Sequence, residues 1–172
     1  MDAYAALVRE TIRRYLTAGH VTRPPPTLPP EMLQKKAGVF VSLHKKSDHS
    51  LRGCIGTFLP TKNCLAEEII ANALAAATED PRFLPVTQEE LDDLAINVDV
   101  LSEPEQISDT KELDPKKYGL IVKNQNGCKG LLLPDIGVAT VEEQMAVCCE
   151  KGGISPTGDK LSLYRFTVER HR

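Results

Sequence analysis

Residues 51–58 read Leu-Arg-Gly-Cys-Ile-Gly-Thr-Phe, and the spacing of the arginine, the cysteine and the second glycine is what chemistry would need. Side chains alternate between the two faces of an extended strand. Arg52, Cys54, Gly56 and Phe58 therefore share one face, and Leu51, Gly53, Ile55 and Thr57 the other. A guanidinium near a thiol favours the thiolate, because the cation stabilises the anion, and the thiolate is the reactive form in nucleophilic and redox chemistry. Gly56 would leave space beside the sulfur. Glycine weakens a strand interior and often marks close approach by a ligand or another backbone. The competing reading makes Cys54 a small buried hydrophobe and the glycines bulge positions.

Other constellations are poorer. Cys54 and Cys64 lie ten apart, Cys148 and Cys149 are adjacent, and His44 and His49 flank a turn, so no zinc-type ligand spacing arises and no metal is expected. A cysteine–histidine pair would need His44 or His49 to fold back toward Cys54. Gly152-Gly153 and Gly158 lack phosphate-loop spacing, and no cofactor is expected. Lys35-Lys36, Lys45-Lys46 and Lys116-Lys117 are scattered pairs that read as solvated faces. Cys128 follows an Asn-Gly turn and is expected to be exposed, whereas Cys148 and Cys149 are expected in the core.

The elements that must position the motif follow from periodicity. Residues 3–18 place Leu7, Val8, Thr11, Ile12, Tyr15 and Leu16 at helical spacings, with Asp2 as N-cap and Gly19 past the end. Five prolines between Arg23 and Glu31 predict an extended strap. Val39 to Leu43 and Leu51 to Phe58 form a hairpin around a polar turn. A helix is predicted from Pro60-Thr61 to about Thr78, with Leu65, Ile69, Ala73, Leu74 and Ala77 inward. Glu79 to Phe83 is a proline-set loop, and Thr87-x-x-Glu90 is a capping box for a short helix. Ala95 to Leu101 alternates as a half-buried strand. Asn124 to Gly127 joins two strands, Thr140-x-x-Glu143 opens a helix stopped by Gly152-Gly153, and Leu161 to Val168 closes the chain as a strand. This order predicts an α+β class with largely antiparallel sheet and packed helices.

The 172 residues suit one domain, or one domain with a small appended lobe, and 41% hydrophobic with 26% charged residues is a globular composition. Lysine plus arginine number 21 against 24 acidic residues, which gives no field to gather polyanions and argues against nucleic acid. No apolar run approaches the ~20 residues of a spanning helix. Asp2, Arg9 and Glu10 do not suit a signal peptide, and five cysteines without framework spacing suit a reducing, cytoplasmic compartment.

LRGCIGTF resembles the signature of the AMMECR domain family. The likeness continues in order through AGVFVSL, ALAAATEDPRF, QEELDDLAINVDVLSEPE, YGLIVKNQNGCKGLLLP and the terminal LYRF, so residues 1–172 read as a single AMMECR-type domain. The segment after Gly137 is shorter than the family pattern. The resemblance implies two unequal lobes with a cleft near the signature. It also implies a pathway shared with Memo-type and radical S-adenosylmethionine proteins, as possible partners, with no assigned activity. The DPRF loop belongs to the same pattern.

Two functional expectations follow. In one, a small anionic ligand or a partner protein binds at a cleft lined by Arg52, Gly53, Gly56, Thr57, Asp80 and Arg82. In the other, an enzyme or enzyme subunit uses Cys54 as nucleophile or redox thiol, with Arg52 as its charge partner. In both, the loop carboxylate of Asp80 is expected to hold the Arg52 guanidinium.

Overall fold

Asp2 opens the first helix by accepting the N–H groups of Tyr4 and Ala5 on its carboxylate, and Gly19 closes it in the left-handed region at φ 67°. In this computed structural model, which describes residues 2–172, the elements in chain order are α1 (Ala3–Ala18), α2 (Pro30–Gln34), β1 (Val39–Lys45), β2 (Leu51–Thr57), α3 (Leu65–Thr78), β3 (Leu94–Leu101), β4 (Glu105–Ile107), β5 (Gly119–Asn124), β6 (Lys129–Leu132), α4 (Val141–Gly152), β7 (Leu161–Phe166) and β8 (Val168–His171). The chain divides into two compact units, one of residues up to Leu101 with Glu169–Arg172, the other Ser102–Val168. The α+β class holds, with one four-stranded sheet in the order β2-β1-β3-β8 and another in the order β4-β7-β5-β6.

In the first unit, β1 runs antiparallel to both β2 and β3. Val39, Val41, Leu43, Ile96, Val98 and Val100 point to one face and are buried with Leu7, Val8, Ile12, Leu65, Ile69 and Ala73 from α1 and α3. Each valine, leucine or isoleucine among them contributes roughly 1.5–3 kcal/mol on leaving water. In the second unit, β5 pairs antiparallel with β6 and β7, and β7 with β4. Leu120, Val122, Leu132, Cys148, Cys149 and Ile154 form its core. The Thr140–Glu143 capping box is complete, and Gly153 ends α4 at φ 60°.

Several boundaries differ from the sequence reading, each for a local reason. The proline strap ends in α2, where Pro30 at the first helical position needs no N–H partner. Helix α3 starts at Leu65 rather than near Pro60, because the Glu68 carboxylate takes the N–H groups of Thr61 (2.7 Å) and Lys62 (2.8 Å). Leu74 is half-exposed rather than inward, and Ala76 is buried instead. The expected helix after Thr87 shrinks to a 3-10 turn at Leu91–Asp93. The closing strand breaks at Thr167: β7 belongs to the second sheet and β8 to the first, so of the two pieces only β8 joins the sheet that α1 covers.

Candidate functional site

β2 is an edge strand, and at its centre Cys54 lies opposite Ser42 of β1. Leu43 pairs with Gly53 but His44 with Leu51, so Arg52 is an extra residue in a bulge, which bends the strand and re-aims the side chain. Arg52 gives its donors to the loop that follows α3. Its Nε and Nη2 donate to the two carboxylate oxygens of Glu90 at 2.9 and 3.0 Å. Nη1 donates to the Leu84 carbonyl at 2.9 Å and Nη2 also to that of Pro85 at 3.4 Å. The guanidinium carbon stands 5.9 Å from the Phe83 ring centre. Arg52 is nearly buried and fastens residues 83–90 to the strand. Its carboxylate partner is Glu90, not Asp80, and Glu90 also accepts the Thr87 N–H at 2.9 Å. The Arg52 hydrogen bond holds the Glu90 carboxyl below its usual range.

The cation beside Cys54 is Arg82. The Asp80 carboxylate accepts the Cys54 backbone N–H at 2.9 Å, and Arg82 Nη2 donates to the Cys54 carbonyl at 3.3 Å. Asp80 and Arg82 are themselves joined through Nε (2.9 Å) and Nη2 (2.7 Å). A carboxylate and a guanidinium thus stand where a further strand would present its carbonyl and N–H. The side chain of Asp80 is 2% exposed and that of Arg82 55%. Hydrogen bonding from Arg82, then from the Cys54 N–H, holds the Asp80 carboxyl far below the usual carboxylate range despite its burial. Asp80 raises the Arg82 pKa, and the negative charge of a Cys54 thiolate adds to the rise.

The glycines answer to packing. A Cβ on Gly53 would strike the Ala76 carbonyl oxygen, so the backbone of α3 passes directly over the strand. A Cβ on Gly56 would strike the Phe40 ring. The space expected beside the sulfur at Gly56 is therefore taken by an aromatic side chain.

Thr57 faces α3. Its hydroxyl donates to Glu68 at 2.6 Å and lies 3.4 Å from the Asn72 amide nitrogen, which also donates to the Val39 carbonyl at 3.1 Å. Glu68 is 1% exposed and accepts four hydrogen bonds, the fourth from the Thr61 hydroxyl at 2.9 Å. Burial opposes its charge, but these donors together keep its carboxyl below the ordinary range. The sequence reading passes over Glu68 and takes Glu90 only as a helix cap. The signal for Glu68 was present: three residues after Leu65 and four before Asn72, it falls on the inward stripe of α3.

His44 Nδ1 lies 3.2 Å from the His49 carbonyl at the hairpin end, so it is turned to its own loop. Cys54 and Cys64 are half-buried, Cys128 exposed and Cys148 and Cys149 buried. Burial pushes the Cys148 thiol up to about 12. Among the described residues, no group of three or more His, Cys, Asp or Glu side chains is placed to hold a metal ion. None of their helices is long and apolar enough to cross a membrane.

A two-unit α+β chain with an Arg-Gly-Cys-x-Gly edge strand, its thiol residue clasped by an Asp-Pro-Arg loop, defines a class, and comparison with known proteins agrees. The chain belongs to the AMMECR1 family, whose model matches residues 5–171. It is 53% identical over 170 residues to a Thermotoga maritima protein, covering 98% of this chain and 97% of that one. A longer Clostridium acetobutylicum protein is 48% identical over 173 residues, covering 99% of this chain but 36% of the relative. The crystal structure of an uncharacterized protein from Pyrococcus horikoshii matches with a TM-score of 0.87 at 37% identity, over 97% of this chain and 88% of that one.

Proposed function

We propose that the protein binds a small anionic ligand at the edge of β2, with Arg82 as the anion's partner and Cys54 beside it. The observation that carries this reading is the state of Arg82. Asp80 fixes its Nε and Nη2, the side chain is 55% exposed, and no acceptor among the described residues engages Nη1. A guanidinium already held in place gives up little entropy on binding an anion. Asp80 cancels its charge, and Glu90 cancels that of Arg52, so the site offers directed donors rather than a long-range field. An affinity near 1 mM, or about 4 kcal/mol, is what a simple anion would gain.

The alternative reading, Cys54 as nucleophile or redox thiol, draws support from the electrostatic coupling between Arg82 and the sulfur. A general base for acyl transfer is not supplied by His44, which is turned to His49. As a thiolate, Cys54 would serve redox exchange or capture of an electrophile. Memo-type and radical S-adenosylmethionine proteins are the proposed suppliers or users of the ligand, on the strength of the resemblance alone.

The test is titration with phosphate, sulfate and acetate, read at the Cys54 backbone amide and Arg82 Nε resonances. Saturable shifts that disappear in Arg82→Met and persist in Arg52→Met support the reading. Shifts that are linear in salt, or unchanged in Arg82→Met, overturn it.

A further inference from the structure

The strand register lines up more than the thiol. Cys54 is opposite Ser42, and Ser42 is opposite Asn97. Directly opposed residues on antiparallel strands put their side chains on the same face. A thiol, a hydroxyl and a carboxamide therefore form one row across β2, β1 and β3, on the face away from α1 and α3.

Ser42 and Asn97 are half-buried, and among the described residues neither side chain has a hydrogen-bond partner. The next row differs: Asp99, opposite Phe40, accepts from Arg170 at 2.7 and 2.9 Å. The polar atoms of Ser42 and Asn97 are left instead to water, which the polar groups of a ligand can replace. The Phe40 ring, seated on Gly56, walls one side of the row. At the far end Asn97 also reaches the edge of β3, where it lines an open pocket of about 610 Å³ whose opposite wall, Ala5 and Arg9, comes from α1.

We infer that the anion site continues along this row, and that its ligand is a linear small-molecule carboxylate bearing amide groups, with the carboxylate at Arg82 and an amide at Asn97. This rests on the anion-binding reading above and adds the ligand's length and chemistry. Adjacent strands are about 4.8 Å apart and Arg82 stands about one spacing beyond β2, so the path from Arg82 to Asn97 is roughly 14 Å, the reach of three residues and an acyl group. An acylated oligoglycine advances about 3.4 Å per residue, so three residues fit where one does not. A carboxamide presents one acceptor and two donors, the complement of an amide. The Ser42 hydroxyl can serve an amide midway, and the Phe40 ring shields the intervening methylenes.

The experiment compares acetate, N-acetylglycine and N-acetyl-triglycine on the full chain, following the Cys54 backbone amide and the Asn97 side-chain amide by NMR. All three are expected to move Cys54. Only N-acetyl-triglycine should move Asn97, and it should bind at least about tenfold more tightly than acetate, ~1.4 kcal/mol. Asn97→Ala and Ser42→Ala should each remove most of that gain and leave acetate binding unchanged. If acetate moves Cys54 but N-acetyl-triglycine binds no better and leaves Asn97 still, the extended site is wrong and the anion site stands. If no probe moves Cys54, both readings fall. The wild-type Asn97 signals decide the question even if a variant fails to fold.

Discussion

The carboxylate of Asp80 holds the backbone N–H of Cys54 at 2.9 Å across 26 positions of sequence. On the free edge of β2, the residue that bears the thiol is thereby held by a loop. Because Arg82 closes the same clasp from the carbonyl side, both backbone polar groups of Cys54 are tied to one loop.

Asp80→Asn should cost about 1–3 kcal/mol, since a buried charge-assisted acceptor is lost. The pH dependence has a definite sign. The Asp80 carboxyl is depressed in the folded protein, so its contribution is complete above the unfolded value near ~3.9 and fades as pH falls toward the folded one. Urea unfolding of wild type and variant should differ by a constant amount from about pH 5 to pH 7 and converge below about pH 4. A difference that grows on acidification would contradict the clasp.

Thiol labelling resolved by mass should find Cys128 and Cys54 reactive in the native protein and Cys148 and Cys149 silent, following exposure. Arg82→Met should slow Cys54 labelling near neutral pH several-fold, because a guanidinium beside a thiol favours the reactive thiolate. Arg52→Met should change stability more than that rate. Equal rates in Arg82→Met and wild type would remove Arg82 as the thiolate's partner.

Gly53→Ala should be severely destabilising, because the new Cβ meets the α3 backbone at Ala76 and overpacking against main chain costs about 1–3 kcal/mol or more. Gly56→Ala meets the Phe40 side chain instead. Its cost should be relieved in the Gly56→Ala, Phe40→Leu double variant, whereas no single side-chain truncation should rescue Gly53→Ala. Thermal melts of the four proteins, with Phe40→Leu as reference, provide the check.

Glu68→Gln keeps the shape but turns an acceptor of four hydrogen bonds into a mixed donor and acceptor facing N–H groups. A loss of about 2–3 kcal/mol is expected. The wild-type carboxyl is depressed on folding, so this advantage should be present above about pH 4.3 and decline below it. Amide exchange of Thr61 and Lys62 should quicken in the variant.

The fold class was legible because amphipathic spacing in α1, the hairpin signals and the Thr140 capping box are local and strong. The bulge at Arg52 was not. Ideal alternation aligns Arg52 with Cys54, and a one-residue register shift is set by tertiary partners, here Glu90 and the carbonyls of Leu84 and Pro85. Thr87-x-x-Glu90 was legible as a cap but not as the anchor for Arg52, since one carboxylate serves both. The row of Cys54, Ser42 and Asn97 depends on pairing between strands more than 10 and 50 residues apart, which no window of sequence reports. The Asp80 and Arg82 contact with the signature strand could be anticipated from the motif, but its target, the Cys54 backbone, could not.

The break at Thr167 has a consequence for how the chain is put together. The second unit leaves the first after Leu101 and returns at Glu169, and its two ends are already joined, Ser102 N–H to the Thr167 carbonyl at 3.0 Å and Thr167 N–H to the Ser102 hydroxyl at 2.9 Å. It is an insertion with touching ends, looped out between β3 and the strand beside it. During synthesis such a guest is complete before its host: residues 102–168 can fold while the first sheet still waits for its fourth strand. The same geometry lets a short Gly-Ser bridge from Leu101 to Glu169 excise the guest without stretching the host.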